Sequence, residues 1–112
     1  MLSFQRLDVY QLALEFLRFA VEVSSCQPRG NAAIFDQLKR AATSIPLNIG
    51  EAAGRTGAAD AARTYAIARG SAMECGAVLD SLLVLRALDQ DSHSRGQQTL
   101  ERIVAMLTKL CR

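Results

Sequence analysis

The stretch AATSIPLNIGEAAGR, residues 41–55, decides how the chain is read. It carries a proline and two glycines, yet its polar residues keep a helical beat. Gln37, Arg40, Ser44, Asn48, Glu51 and Arg55 follow one another at spacings of 3, 4, 4, 3 and 4. On a helix they form one polar seam about 80° wide. Leu38, Ala42, Ile45, Ile49 and Ala52 form an apolar stripe roughly 130° away. The periodicity passes straight through Pro46. Proline removes one amide donor and crowds the carbonyl four residues back, that of Ala42, so the helix is expected to kink there rather than stop. Ser44 is expected to hydrogen-bond a freed carbonyl. Gly54 suits the helix end, and Thr56 suits the cap of the next helix. The seam has three readings: a solvated face, a structural network facing the third helix with Glu51 paired to Arg55 or Arg69, or a site for a ligand or partner. Asn48 is a poor residue for a helix interior, so a specific hydrogen bond is expected to hold it.

Working outward, the chain is punctuated at QPRGN (27–31), GRTG (54–57) and LDQDSHS (88–94), each rich in turn or cap residues. Four helices are predicted, near 6–26, 32–53, 58–88 and 95–111. In the first, Asp8, Gln11, Glu15, Arg18 and Glu22 fill an arc of only about 80°. Val9, Leu12, Leu14, Phe16, Leu17, Phe19, Val21 and Val23 occupy most of the rest, so burial on more than one side is expected. The third helix has one apolar face from Tyr65, Ala68, Ala72, Cys75, Leu79 and Leu82. Ile67, Val78, Leu85 and Leu88 lie roughly opposite. Gly70 and Gly76 each cost about 1 kcal/mol against alanine inside a helix, which close helix packing would offset. The fourth helix has a stripe of Leu100, Ile103, Val104, Leu107 and Leu110. Ser94 and Gln97 suggest a capping box at its start, and Lys109 and Arg112 suit its C-terminal dipole. Short connections predict an all-α, antiparallel up-down-up-down four-helix bundle, in one domain over 1–112. The apolar excess on helices 1 and 3 predicts association of copies, because a patch of that size on a monomer is an aggregation hazard.

Half of the 112 residues are hydrophobic while aromatics make up 5%, a balance that favours helix over sheet. The net charge of +2 is too small to indicate nucleic acid by itself, although a ring of subunits would multiply it. Cys26, Cys75 and Cys111 are far apart and odd in number, which predicts reduced thiols rather than a disulfide framework. No charged-then-apolar leader follows Met1 and no run of about 18 apolar residues occurs, so neither secretion nor membrane spanning is expected. For an enzyme the signals are thin. The single histidine, His93, falls in a polar stretch and reads as solvated. No His-Glu metal motif, glycine-rich phosphate loop or nucleophile turn is present, so no cofactor or metal is expected. Glu51 and Glu74 are the one pair of carboxylates that general acid–base chemistry could use.

The run QLKRAATSIPLNIGEAAGR (37–55) resembles the signature Q-x-R-R-A-x-x-S-I-P-x-N-I-A-E-G-x-G-R of the bacterial four-helix-bundle proteins, also called 23S ribosomal RNA intervening-sequence proteins. IARGSAMECGAVL (67–79) is similar to the family's A-x-G-S-x-x-E motif, and FQRLDVYQLALEF (4–16) to its F-x-x-L-x-V-Y-x-x-A opening. Gly50-Glu51-Ala52 departs from the usual Ala-Glu-Gly. The resemblance implies a cytoplasmic four-helix bundle assembled into a ring, commonly a pentamer, whose biochemical role is unassigned. A related group is similar to retroelement accessory proteins that bind nucleic acid and a reverse transcriptase. Carried over by position, Arg40, Ser44, Asn48, Glu51, Arg55, Ser71 and Glu74 are the signature polar residues, with no catalytic role attached. The functional expectation is therefore a non-enzymatic homo-oligomer that scaffolds RNA, DNA or a protein, with Lys39, Arg40, Arg55, Arg63 and Arg69 as candidate basic contacts. The alternative is a structural oligomer or one that binds only an unidentified protein partner. An enzyme using Glu51 and Glu74 is a distant third.

Overall fold

Each apolar stripe needs a partner, and four amphipathic helices satisfy one another by packing side by side. A computed structural model describes residues 1–27 and 29–112. Pro28, part of the first predicted break, lies outside the described residues. A 3₁₀ turn over Ser3–Arg6 precedes helices α1 (Asp8–Ser25), α2 (Ala32–Ala53), α3 (Ala58–Val84) and α4 (Gln90–Leu110). Among the described residues there is no strand. Sequential helices run antiparallel. α3 packs against both α2 and α4, and α1 closes the bundle between α2 and α4. The core gathers Phe16 from α1, Phe35, Leu38, Ile45 and Ile49 from α2, Leu79 and Leu82 from α3, and Ile103 and Leu107 from α4, all fully buried. Each such side chain stabilises the fold by about 1.5–3 kcal/mol relative to exposure. The predicted α2 stripe of Leu38, Ala42, Ile45, Ile49 and Ala52 is buried throughout.

α2 continues through Pro46 without stopping. It also runs unbroken through Gly50-Glu51-Ala52. The Phe4 ring lies 3.4 Å from where a Gly50 side chain would begin, which ties the 3₁₀ turn to the end of α2. The Ser44 hydroxyl does not serve the Ala42 carbonyl as expected; it points across to α3, 2.8 Å from the Ser71 hydroxyl.

The helix ends differ from expectation in instructive ways. Gly54 ends α2 with φ −86°, so no left-handed residue is used there. Gly57 rather than Thr56 precedes α3, with no side-chain cap. α3 stops at Val84, four residues early, because Arg86 turns left-handed with φ 59°. Ala87 N–H then donates to the Leu82 carbonyl at 2.9 Å and Arg86 N–H to that of Leu83 at 3.0 Å. That paired closure usually carries glycine at the left-handed position. α4 begins five residues early. Asp89 caps it by accepting from Ser92 N–H at 2.7 Å, and this bond holds the Asp89 carboxyl below its ordinary 3.8. Ser94 and Gln97 consequently lie inside α4 and form no capping box.

The apolar excess is distributed unequally. On α1, Phe19 tucks against Gly96 and Leu17 and Val23 pack onto the core, leaving Val21 as its half-exposed apolar residue. The burial expected on several sides of helix 1 is thus supplied within the chain. On α3 it is not.

Candidate functional site

The polar seam of α2 meets α3 along the outer edge of their interface. Asn48 Nδ2 donates to the Ser44 carbonyl at 2.8 Å and to Ser44 Oγ at 3.0 Å. Ser44 Oγ meets Ser71 Oγ at 2.8 Å. About two turns toward the start of α2, Gln37 Nε2 donates to Glu74 Oε2 at 3.4 Å. At the far end Glu51 pairs with Arg55 at 2.6 Å. The expected hydrogen bond on Asn48 is therefore present, and it turns a poor helix former into the link between the α2 backbone and a cross-helix hydroxyl pair. Leu47, 67% exposed, lies next to this ladder. It lines an open groove of about 720 Å³ along α2, bounded by Lys39 and Arg40 at one end and Glu51 at the other.

The structure brings together Ser44, Asn48 and Ser71, and separately Gln37 with Glu74 and Glu51 with Arg55. It does not bring Glu51 and Glu74 together. Glu74 sits at the level of Gln37, fourteen residues from Glu51, about 21 Å along the helix. The carboxylate pair expected for an enzyme is absent. Arg69 does not reach Glu51; its Nε donates to Thr108 Oγ1 of α4 at 2.8 Å. Lys39 pairs with Asp36 at 3.5 Å and Arg63 with Asp60 at 3.6 Å, both exposed. Arg40 is exposed on the groove wall. The candidate basic contacts thus divide, Lys39 and Arg40 on the α2 groove and Arg55, Arg63 and Arg69 toward the end where α2 closes and α3 begins.

His93 is not a solvated loop residue. It stands in the first turn of α4 with its side chain 15% exposed, and its Nε2 lies 2.7 Å from Asp80 Oδ1 on α3. Gln97 Nε2 donates to the same Asp80 oxygen and to the Gly76 carbonyl, each at 3.0 Å. This cluster clasps α4 to α3. The sequence signal for it was the 93/97 spacing on one helix face, hidden because α4 was expected to begin after His93. Cys75 is fully buried, and burial, with the Glu74 charge adding to it, pushes its thiol up to about 12. Such a thiol is not a nucleophile at neutral pH.

Chemically, the α2–α3 ladder offers hydroxyls bonded to each other and to an amide, plus one exposed ion pair. Its hydroxyls have no base beside them. Among the described residues no group of three or more metal-ligating side chains converges, and no helix is long and apolar enough to cross a membrane. Fold and site together define a helical bundle built around a cross-helix polar ladder. Its family is shown directly: the 23S rRNA-intervening sequence protein family matches residues 5–109, and the chain belongs to it. The crystal structure of a protein of unknown function from the S23 ribosomal protein family of Bacteroides thetaiotaomicron VPI-5482 has the same fold. Its TM-score is 0.86 at 23% identity, over 93% of this chain and 98% of that one. No curated protein sequence matches the chain.

Proposed function

We propose that the chain is a single-domain, non-enzymatic, cytoplasmic bundle that assembles with copies of itself and acts as a scaffold for nucleic acid. The observation that carries self-association is the outward face of α3. Ala59, Ala66, Gly70, Met73, Ala77 and Val84 are all exposed, with Ile67 and Leu85 exposed on one flank. This stripe spans about 38 Å of helix, most of the 45 Å length of the molecule. The exposed face of α4 makes the contrast, with Asp91, Arg95, Gln98, Glu101, Arg102 and Lys109. Arg63 and Ser81 interrupt the α3 stripe, and Asp60, Glu74 and Asp80 flank it, while α4 also exposes Ala105 and Leu110; α3 is nevertheless the more apolar of the two outward faces. α4 has the makeup of a helix that meets water, and α3 that of a helix that meets another protein surface. Gly70 supports the same reading: beyond its own stretch of helix backbone, nothing lies within 4 Å of the place its side chain would occupy. Its helix penalty of about 1 kcal/mol has no return inside the chain; a neighbour's backbone approaching closely would supply one.

The family resemblance favours a ring, commonly of five, for this assembly. Light scattering tests this. The wild type is expected to run as a defined oligomer, and Met73→Glu with Ala77→Arg as a folded monomer, since both positions are already exposed in the chain. A monomeric wild type would sink the reading. The second reading, a structural oligomer or one that binds only protein, draws on the exposed Leu47 in the α2 groove. It predicts an oligomer indifferent to nucleic acid.

A further inference from the structure

The antiparallel arrangement gathers charges that are scattered in sequence. One end of the bundle holds the 3₁₀ turn, the close of α2, the start of α3 and the close of α4. Phe4 resting on Gly50 and Arg69 bonded to Thr108 tie these segments together. Arg6, Arg55, Arg63, Lys109 and Arg112 are all exposed there, against the carboxylates Asp8, Glu51 and Asp60. Glu51 and Asp60 are occupied by Arg55 and Arg63. Among the described residues no carboxylate lies within salt-bridge distance of Arg6, Lys109 or Arg112. The opposite end carries Glu22, Asp36, Asp80, Asp89 and Asp91 against Arg29, Lys39, Arg86 and Arg95, and is close to balance. The net charge of +2 is therefore gathered at one end of the molecule, a basic pole.

We infer that the basic pole, and not the Lys39–Arg40 pair of the α2 groove, is the surface that contacts a nucleic-acid backbone. The inference rests on the self-association reading. Bundles packed side by side through the long face of α3, under cyclic symmetry, point their basic poles the same way. Their charges then form one rim, where a weak patch per copy becomes a multivalent one. Arginine and lysine on such a rim meet phosphates, which RNA and DNA share, and contacts of this kind position a backbone without reading sequence.

The test is fluorescence anisotropy with a short labelled single-stranded RNA, and the same sequence as DNA, at low and higher salt. Light scattering is run on every sample. Wild type is expected to bind both strands, and to lose about 300-fold in affinity between about 50 and 200 mM salt if the rim makes about six phosphate contacts to a single strand. Arg6→Glu with Lys109→Glu is expected to weaken binding at least about tenfold while leaving the oligomer intact. Lys39→Glu with Arg40→Glu is expected to change it by less than about threefold. Equal losses in the two variants, binding that ignores salt, or an intact wild-type oligomer that binds neither strand would each overturn the basic-pole assignment. A monomeric wild type whose binding still depends on Arg6 and Lys109 would keep the pole and remove the ring.

Discussion

Gly96 sits where α4 comes closest to α1 and α3, and replacing it with alanine tests whether that approach is as tight as the structure describes. A methyl group at this position would lie 2.7 Å from Leu79 Cδ1, 2.7 Å from Phe19 Cε2 and 2.8 Å from Phe19 Cζ. Carbon atoms rest at about 3.5–4.0 Å, so both neighbours must retreat by close to an ångström. Leu79 is fully buried and has nowhere to go. Phe19 is half-buried, but its ring is 5.5 Å from that of Phe16 and carries the Arg95 guanidinium 5.7 Å above it. Moving it disturbs the core on one side and a cation–π contact on the other. Overpacking of this kind costs about 1–3 kcal/mol, and the gain in helix propensity returns about 1 kcal/mol. Gly96→Ala is therefore expected to lose about 1 kcal/mol net, about 4 °C in Tm. Thermal unfolding at one fixed protein concentration checks it, because association shifts Tm by mass action. A variant as stable as wild type, or more so, would mean that α4 lies farther from α1 than described.

Arg86→Gly is expected to stabilise the fold by about 1 kcal/mol in urea unfolding, since a left-handed arginine is strained by about 1–2 kcal/mol and glycine gives back part of that in the unfolded chain. Asn48→Ala removes two hydrogen bonds worth about 1 kcal/mol each and regains about 0.6 kcal/mol of helix propensity. A loss of about 1 kcal/mol in the same assay is expected, and an unchanged midpoint would count against the ladder as a structural element. Asp89→Ala is expected to lower stability at pH 7. Because the folded carboxyl titrates below its ordinary 3.8, the difference from wild type should hold above that value and shrink as pH falls through the lower folded value. A gap that stays constant down to strong acid would refute the cap. Cys75, its thiol raised to about 12, should resist thiol reagents at pH 8 until the protein unfolds, whereas exposed Cys26 reacts at once; early labelling of both would refute the burial.

Much of this fold could be read from spacing. The α2 stripe, the passage of the helix through Pro46 and the hydrogen bond on Asn48 all follow from period and propensity, which are local properties. Structure and spacing part where one residue does a job usually given to another. Arg86 adopts a conformation that normally announces itself as glycine, so no residue type in the sequence marks the end of α3 at Val84. Without that mark the expected start of α4 falls past Asp89 and His93, which hides the real cap and the clasp on Asp80 together. The site was less legible than the fold because its parts meet only in three dimensions. Ser44 and Ser71 are twenty-seven residues apart, and nothing in either segment says that their hydroxyls touch. Nor does a chain-wide net charge disclose a basic pole built from both termini and one inter-helix turn.

The two sides of the bundle answer different demands, and the sequence of each helix follows from the side it faces. α1 meets α4 along an outer edge where Asp8, Glu15 and Glu22 recur every seven residues, as do Arg95, Arg102 and Lys109 on the other helix. Antiparallel packing brings Glu15, Glu22, Arg95 and Arg102 around one groove, with Arg18 among them, although no two of these charges come within salt-bridge distance. Complementary charges at heptad spacing fix register and orientation more than they add stability, which suits an edge that stays in water. α2 and α3 are pinned by the hydroxyl–amide ladder instead. Neutral hydrogen bonds carry a smaller desolvation penalty than ion pairs when a second surface covers them. Only the Ser44–Asn48–Ser71 centre of the ladder is without formal charge, and that centre is the part suited to an edge that a second surface covers; Glu74 and the Glu51–Arg55 pair flank it.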